Sequence, residues 1–201
     1  MNIGVLGGTF DPIHKGHLVL VEEARGRANL AEILFVPANL PWLKTDRSIT
    51  PVEHRVEMVR LAIADNPYLK LSTVDIERGG PSYTVDTISD LQGQIGAEDE
   101  LFLILGWDSL AELPQWHEAS RLITMCHLVV VPRPSFPRPK LKSLDKSLPG
   151  TSKRVMLIDE PYIDIGASNI RERLAKGLSV LHLVPEPVNR YIKEHRLYST
   201  E

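Results

Sequence analysis

The chain has 201 residues, 43% of them hydrophobic and 24% charged, with a formal net charge of −3 and one cysteine. Such a chain reads as an ordinary soluble domain that buries roughly 70% of the surface its unfolded form exposes, so folding requires neither disulfides nor metals. The mild negative charge argues against coating nucleic acid or binding an acidic membrane, since those partners select basic surfaces.

Cys126 cannot form an intramolecular disulfide, and its apolar surroundings predict a buried, inert thiol in a reducing cytoplasm. The N-terminus lacks a basic n-region, and no apolar run approaches membrane-spanning length. One domain is expected over 1–201, with a C-terminal helical portion from about residue 168 packed on the core.

Asn2 to Leu6 reads as a buried strand, and His14 to about Ala28 as a helix with an apolar face of Leu18, Val21, Ala24 and Ala28. Between them and into the helix runs Gly7-Gly8-Thr9-Phe10-Asp11-Pro12-Ile13-His14-Lys15-Gly16-His17. The glycines remove side chains where backbone must bend or approach a ligand, and the two histidines share one face of the first helical turn. Backbone N–H groups there lack intrahelical partners at the positive end of the helix dipole, so the stretch is a site for an anion, phosphate above all. It fits neither G-x-G-x-x-G nor G-x-x-x-x-G-K-[ST].

A second strand, Glu32 to Val36, leads into a proline-broken loop from Pro37 through Lys44. Thr50 as N-cap, Pro51 at the first helical position and Glu53 at the third predict a capping box and a helix to about Asp65. Leu69 to Val74 is predicted as a strand, Tyr83 to about Gln94 as a helix, and Leu101 to Gly106 as a strand ending at Trp107-Asp108-Ser109. Short helices are expected through Thr124.

His127 to Val131 reads as a β-branched strand stopped by Pro132. Arg133 to Lys153, rich in proline, serine and basic residues, reads as a long loop and hence as a candidate lid. Arg154 to Ile158 is predicted as a strand, Ser168 as the N-cap of a helix stopped by Gly177, and Glu186 to His195 as the last helix. Alternating strands and helices imply a doubly wound, mainly parallel α/β sheet with helices on both faces and ligands beyond the strands' carboxyl ends. The stretches at 7–17, 37–44, 106–109 and 133 onward all follow predicted strands.

The stretch Gly7 to His17 resembles the signature of bacterial nicotinate-nucleotide adenylyltransferases. Further landmarks in the family's order are Pro37-Ala38-Asn39 to Lys44, Ser82-Tyr83-Thr84, Gly106-Trp107-Asp108-Ser109, Leu113-Pro114-Gln115-Trp116, Val131-Pro132-Arg133-Pro134 and Ser168-Asn169-Ile170-Arg171. The resemblance covers nearly the whole chain. It implies the Rossmann-like nucleotidyltransferase fold and transfer of AMP from ATP to nicotinate mononucleotide, with Mg²⁺ accompanying the triphosphate.

In such a transfer the acceptor phosphate already is the nucleophile, so catalysis reduces to alignment and charge stabilisation. The resemblance assigns that stabilisation to His14 and His17 beside Gly7, Gly8, Thr9 and Phe10, and gives Arg171 and Ser168 the β- and γ-phosphates. Asp108 and the Gly106 backbone would meet the nucleotide's ribose or base, and Arg133 would edge the adenine pocket. Trp116 would stack on the nicotinate ring beside Tyr83 and Thr84, with Asn39 and Lys44 on the mononucleotide side. Two motifs depart from the family pattern. Gly166-Ala167-Ser168-Asn169-Ile170-Arg171 stands where Ser-Ser-Thr-x-Ile-Arg is common, and Pro41-Trp42-Leu43-Lys44 where Pro-Pro-His-Lys is common.

Each residue also has a plainer reading. An isolated H-x-x-H is usually helix surface, Trp116 could be core as Trp42 and Trp107 are expected to be, Asp108 could cap a helix, and the basic residues of 133–154 could be solvated. No Cys/His cluster suggests zinc. Three functions compete with transfer to nicotinate mononucleotide: transfer to another small phosphate, such as nicotinamide mononucleotide or pantetheine phosphate, nucleotide binding without catalysis, and an RNA-linked aminoacyl-transfer fragment. The last would need a lysine-rich catalytic loop that the chain lacks.

Overall fold

The computed structural model describes residues 1–40, 48–134 and 136–199. In chain order the elements are β1 (Asn2–Gly8), α1 (Lys15–Arg27), β2 (Glu32–Pro37), α2 (Val52–Ile63), β3 (Leu69–Leu71), α3 (Val74–Arg78), α4 (Thr84–Gln92), β4 (Glu100–Gly106), α5 (Trp107–Glu112), α6 (Ala119–Met125), β5 (His127–Val131), α7 (Leu141–Ser147), β6 (Val155–Leu157), α8 (Ala167–Ala175) and α9 (Glu186–Glu194). Short 3₁₀ turns occupy Leu113–Gln115 and Thr151–Lys153.

The six strands form one parallel sheet in the order β3-β2-β1-β4-β5-β6. The chain winds outward from β1 in one direction, crosses over, and winds outward from β4 in the other. This is the doubly wound Rossmann-like arrangement, and its switch point lies between β1 and β4.

Both faces of the sheet are covered, so its strands read as continuous apolar runs. Side chains alternate along each strand, and the partition follows that alternation. Ile104, Val129 and Val131 join Ile33 and Phe35 in a core with Val21 and Ala24 of α1, Met58 and Val59 of α2, Ile170 of α8, and Val188 and Ile192 of α9. Leu103, Leu105, Leu128 and Val130 face the other way, against Val85, Ile88 and Leu91 of α4, Leu110 of α5 and Leu122 of α6. Helix α8 contributes one fully buried side chain, Ile170, to the core. Its burial is worth roughly 1.5–3 kcal/mol, a modest anchor for the helix that carries Arg171.

Several predicted boundaries shift. Pro51 rather than Thr50 precedes α2, in extended backbone, and the expected capping box does not form. The carbonyl of Thr50 is instead held by Arg55 Nε at 2.9 Å. The predicted strand 69–74 ends at Leu71, and α3 begins at Val74. Asp75 of α3 turns inward to accept from Thr87 Oγ1 at 2.5 Å and from Arg78 Nη2 at 2.8 Å.

Helix α8 is capped by Gly166, and Ser168 lies inside its first turn. Its other end stops at Gly177, where φ is +67°. There Gly177 N–H donates to Leu174 O at 2.9 Å and Leu178 N–H to Arg173 O at 2.8 Å, the paired bonds of a Schellman turn. Residues 133–153 are not an open loop. They contain α7, and Leu141, Leu144 and the buried Leu148 pack on the core, because an amphipathic turn outweighs the local proline content.

Candidate active site

A cleft of about 690 Å³ opens beyond the carboxyl ends of β1, β4 and β5, at the switch point of the sheet. Its walls are the turn from Gly7 to Asp11, His14 and His17, then Gly106, Asp108 and Ser109 after β4, Pro132 and Arg133 after β5, and Gly166 to Ser168 with Arg171 at α8. Thr84 and Trp116 line it as well.

His14 caps α1 in extended backbone, three residues before His17, and the two rings stack with centroids 3.7 Å apart. The backbone N–H of His14 donates to His17 Nδ1 at 3.2 Å, which leaves the proton of a neutral His17 ring on Nε2. His14 is buried, and burial, with a smaller contribution from Arg133, lowers its pKa to about 4. It is therefore a neutral donor at pH 7, and the pair avoids stacking two like charges. Its Nδ1 is buried without a hydrogen-bond partner among the described residues. A Cβ at Gly16 would lie 3.0 Å from that atom and 3.2 Å from Ile165 Cβ, so any side chain there would crowd the folded-back ring and the segment leading into α8.

Arg171 reaches from α8 to the signature turn. Its Nη1 donates to the carbonyl of Asp11 at 2.6 Å and its Nη2 to Ser168 Oγ at 3.1 Å. The starts of α1 and α8 are joined there, each with a cationic or imidazole side chain lining the cleft. Such a pair can grip adjacent phosphates of one polyphosphate. Across the cleft Asp108 Oδ2 and Arg133 Nε lie 3.6 Å apart.

The residues expected on the mononucleotide side are only partly gathered. Thr84 opens α4 and lines the cleft with Ser82, Thr87 and Asp75. Trp116 lines it too, half-buried, with Nε1 lacking a partner among the described residues. Asn39 is tied behind the wall, its N–H donating to Ser82 Oγ at 2.8 Å and its Nδ2 to Gly80 O at 3.2 Å. Tyr83 packs on His117 at 4.3 Å and does not line the cleft, because as the residue before α4 it projects away from the helix start. Lys44 lies outside the described residues, as do Pro41, Trp42 and Leu43.

The Cytidylyltransferase-like family pattern matches residues 5–173. Two proteins named probable nicotinate-nucleotide adenylyltransferase from Dehalococcoides mccartyi strains are 46% and 48% identical, each over 98% of this chain and 97% of their own. A namesake from Roseiflexus is 44% identical, again over 98% of this chain and 97% of its own. The chain belongs to the nicotinate-nucleotide adenylyltransferase family. Among solved structures, the Plasmodium falciparum nicotinic acid mononucleotide adenylyltransferase complexed with NaAD superposes with a TM-score of 0.80 at 22% identity, covering 98% of this chain and 97% of that one. The likeness supports the nucleotidyltransferase fold.

In this adenylyltransferase the departure Gly166-Ala167 lies at the cleft, where Gly166 serves as the α8 cap and Ala167 lines the wall. Sequence reasoning missed a buried layer beneath the site. Arg55, 2% exposed, donates to Thr9 O at 2.9 Å, Ala38 O at 2.8 Å, Asn39 O at 3.2 Å and Thr50 O at 2.9 Å. Burial lowers its pKa, and the nearby Asp11 charge opposes that shift. The available signal was an arginine in helical register with Met58 and Val59, on the apolar side of α2.

Proposed function

We propose that this cleft transfers AMP from ATP to nicotinate mononucleotide through a two-sided phosphate clamp. The protein is a nucleotidyltransferase of NAD biosynthesis, and the reaction forms nicotinate adenine dinucleotide and pyrophosphate. The mononucleotide phosphate oxygen attacks the α-phosphorus in line, and the α–β P–O bond breaks with its electron pair leaving on pyrophosphate. No base is required, so the protein's task is alignment and charge stabilisation.

In this reading the side chains of His14 and His17, beside Gly7, Gly8, Thr9 and Phe10, donate to the reacting α-phosphate. Arg171, Ser168 and the start of α8 take the β- and γ-phosphates and stabilise the departing charge. Asp108, the Gly106 backbone and Arg133 hold the adenosine. Trp116 stacks on the nicotinate ring, with Thr84 and Tyr83 at its pocket and Asn39 and Lys44 toward the mononucleotide.

The family uses a divalent metal with ATP, and we assign Mg²⁺. Among the described residues no group of three or more His, Cys, Asp or Glu side chains could hold a metal, so phosphate oxygens would supply its ligands in the open cleft. When bound, Mg²⁺ supplies charge neutralisation on the triphosphate. A cytoplasmic site of action is part of the proposal. Cys126 fits it: its buried thiol has a pKa raised to about 12, unsuited to redox exchange. Among the described residues no helix is long and apolar enough to cross a membrane.

The observation that carries the reading is the joining of the two helix starts by Arg171 and Asp11. Purified protein with ATP, Mg²⁺ and each of nicotinate mononucleotide, nicotinamide mononucleotide and pantetheine phosphate tests it by pyrophosphate release. Release with nicotinate mononucleotide is expected. ATP binding by calorimetry without turnover on any acceptor would instead identify a nucleotide-binding regulator.

A further inference from the structure

The C-terminal segment returns to the site from behind. Tyr198 follows α9 with φ of +64°, a left-handed conformation that bulky L residues adopt only at a cost, and Arg196 shares it at +50°. The backbone bend delivers the Tyr198 hydroxyl to Asp11, where it donates to Oδ1 at 2.8 Å. Asp11 is 2% exposed, and its backbone carbonyl seats Arg171.

The same turn is held from a second side. Arg55 bonds the Thr9 carbonyl, two residues before Asp11, and the Thr50 carbonyl ahead of α2. The signature turn, the start of α2 and the C-terminal segment are therefore tied around one buried carboxylate and one buried guanidinium. Tyr198 itself does not line the cleft. Burial and the Asp11 charge push its phenol far up, so it stays a protonated donor.

We propose that Tyr198 is a positioning residue for adenylyl transfer: its hydroxyl, bonded to the buried Asp11 carboxylate, fixes the Asp11 carbonyl that seats Arg171 at the leaving group. The proposal rests on the phosphate-clamp reading of Arg171 and adds a residue that touches neither substrate. Arg171 bonds the signature turn at the Asp11 carbonyl, so a small displacement of Asp11 moves the guanidinium directly. Alignment errors of that size are costly in a reaction that depends on positioning.

The test is a double-mutant cycle with Tyr198→Phe, which keeps the ring and removes one oxygen. In the wild-type background kcat is expected to fall about tenfold, with KM for the mononucleotide changing less than about twofold. In an Arg171→Ala background the same exchange should change kcat by less than about twofold, because the group through which it acts is gone. Pyrophosphate binding measured by calorimetry, which needs no turnover, should weaken about fivefold in Tyr198→Phe while nicotinate mononucleotide binding holds. Wild-type kcat and pyrophosphate affinity in Tyr198→Phe, with only a lower melting temperature, would overturn the proposal, as would equal losses in both backgrounds. Wild-type turnover in Arg171→Ala alone would overturn the clamp reading and this proposal together.

Discussion

The burial of His14 makes a quantitative prediction about stability in acid. Its pKa is about 4 in the folded protein against 6.5 for the free side chain, burial being the main cause and Arg133 the lesser one. The unfolded chain therefore takes up the proton first as pH falls, and this group's contribution is fully present above pH 6.5. Linkage gives a loss of about 2 kcal/mol by pH 5 and about 3 kcal/mol by pH 4, with little further loss below that. Other groups titrate in the same range, so the comparison must be with His14→Gln, whose amide stays neutral throughout. Urea unfolding of both proteins at pH 7.5, 6, 5 and 4 should show the stability gap between them shrinking by those amounts as pH falls. Parallel curves would refute the reasoning, for they would mean that the folded ring accepts a proton as readily as the unfolded one. The same neutrality implies that no protonation of His14 contributes to the rate between pH 8 and 6.

His17→Ala should lower kcat about a hundredfold, the usual scale for one transition-state donor, while the urea midpoint shifts by less than about 1 kcal/mol in stability. Arg55→Met leaves the carbonyls of Thr9, Ala38, Asn39 and Thr50 without their shared donor and Asp11 without its countercharge. It should cost about 3–5 kcal/mol, read as a melting temperature lower by roughly 6–20 °C. A Cβ at Gly106 would lie 2.3 Å from Asp108 Oδ1, so Gly106→Ala must displace that carboxylate. We expect KM for ATP to rise about tenfold with kcat changed much less. Trp116→Ala should raise KM for nicotinate mononucleotide about tenfold through loss of the stacked ring, and leave KM for ATP within about twofold.

The parts of the fold set by local pattern were legible in the sequence. His127–Val131 forms β5 over the predicted residues because a β-branched run ended by Pro132 leaves little choice. The glycine turn and the histidine pair of 7–17 were legible for the same reason: the turn, both histidines and their helix start are contiguous. Where the reading slipped, a distant partner decided. The run Leu69 to Val74 looks like continuous strand, but Asp75 is drawn inward by Thr87 and Arg78, and the backbone turns helical at Val74. The Thr50 cap was a sound local expectation, but the helix starts one residue later, with Pro51 at the cap and no side chain bonded to its first turn.

The candidate site divides along the same line. Groups that would touch phosphate sit at helix starts, where sequence displays them. The groups that set their relative position do not, because alignment between two helix starts is a property of contacts across the chain. Tyr198 and Asp11 are 187 residues apart, and Arg171 and the Asp11 carbonyl 160. No motif spans such distances, and a buried arginine on the apolar side of α2 is the one local irregularity that betrays the layer beneath. In the proposed reaction, which has no base to supply, that layer would carry the alignment, since donors of the right kind placed about 1 Å wrongly stabilise the bound triphosphate as well as they stabilise its transition state.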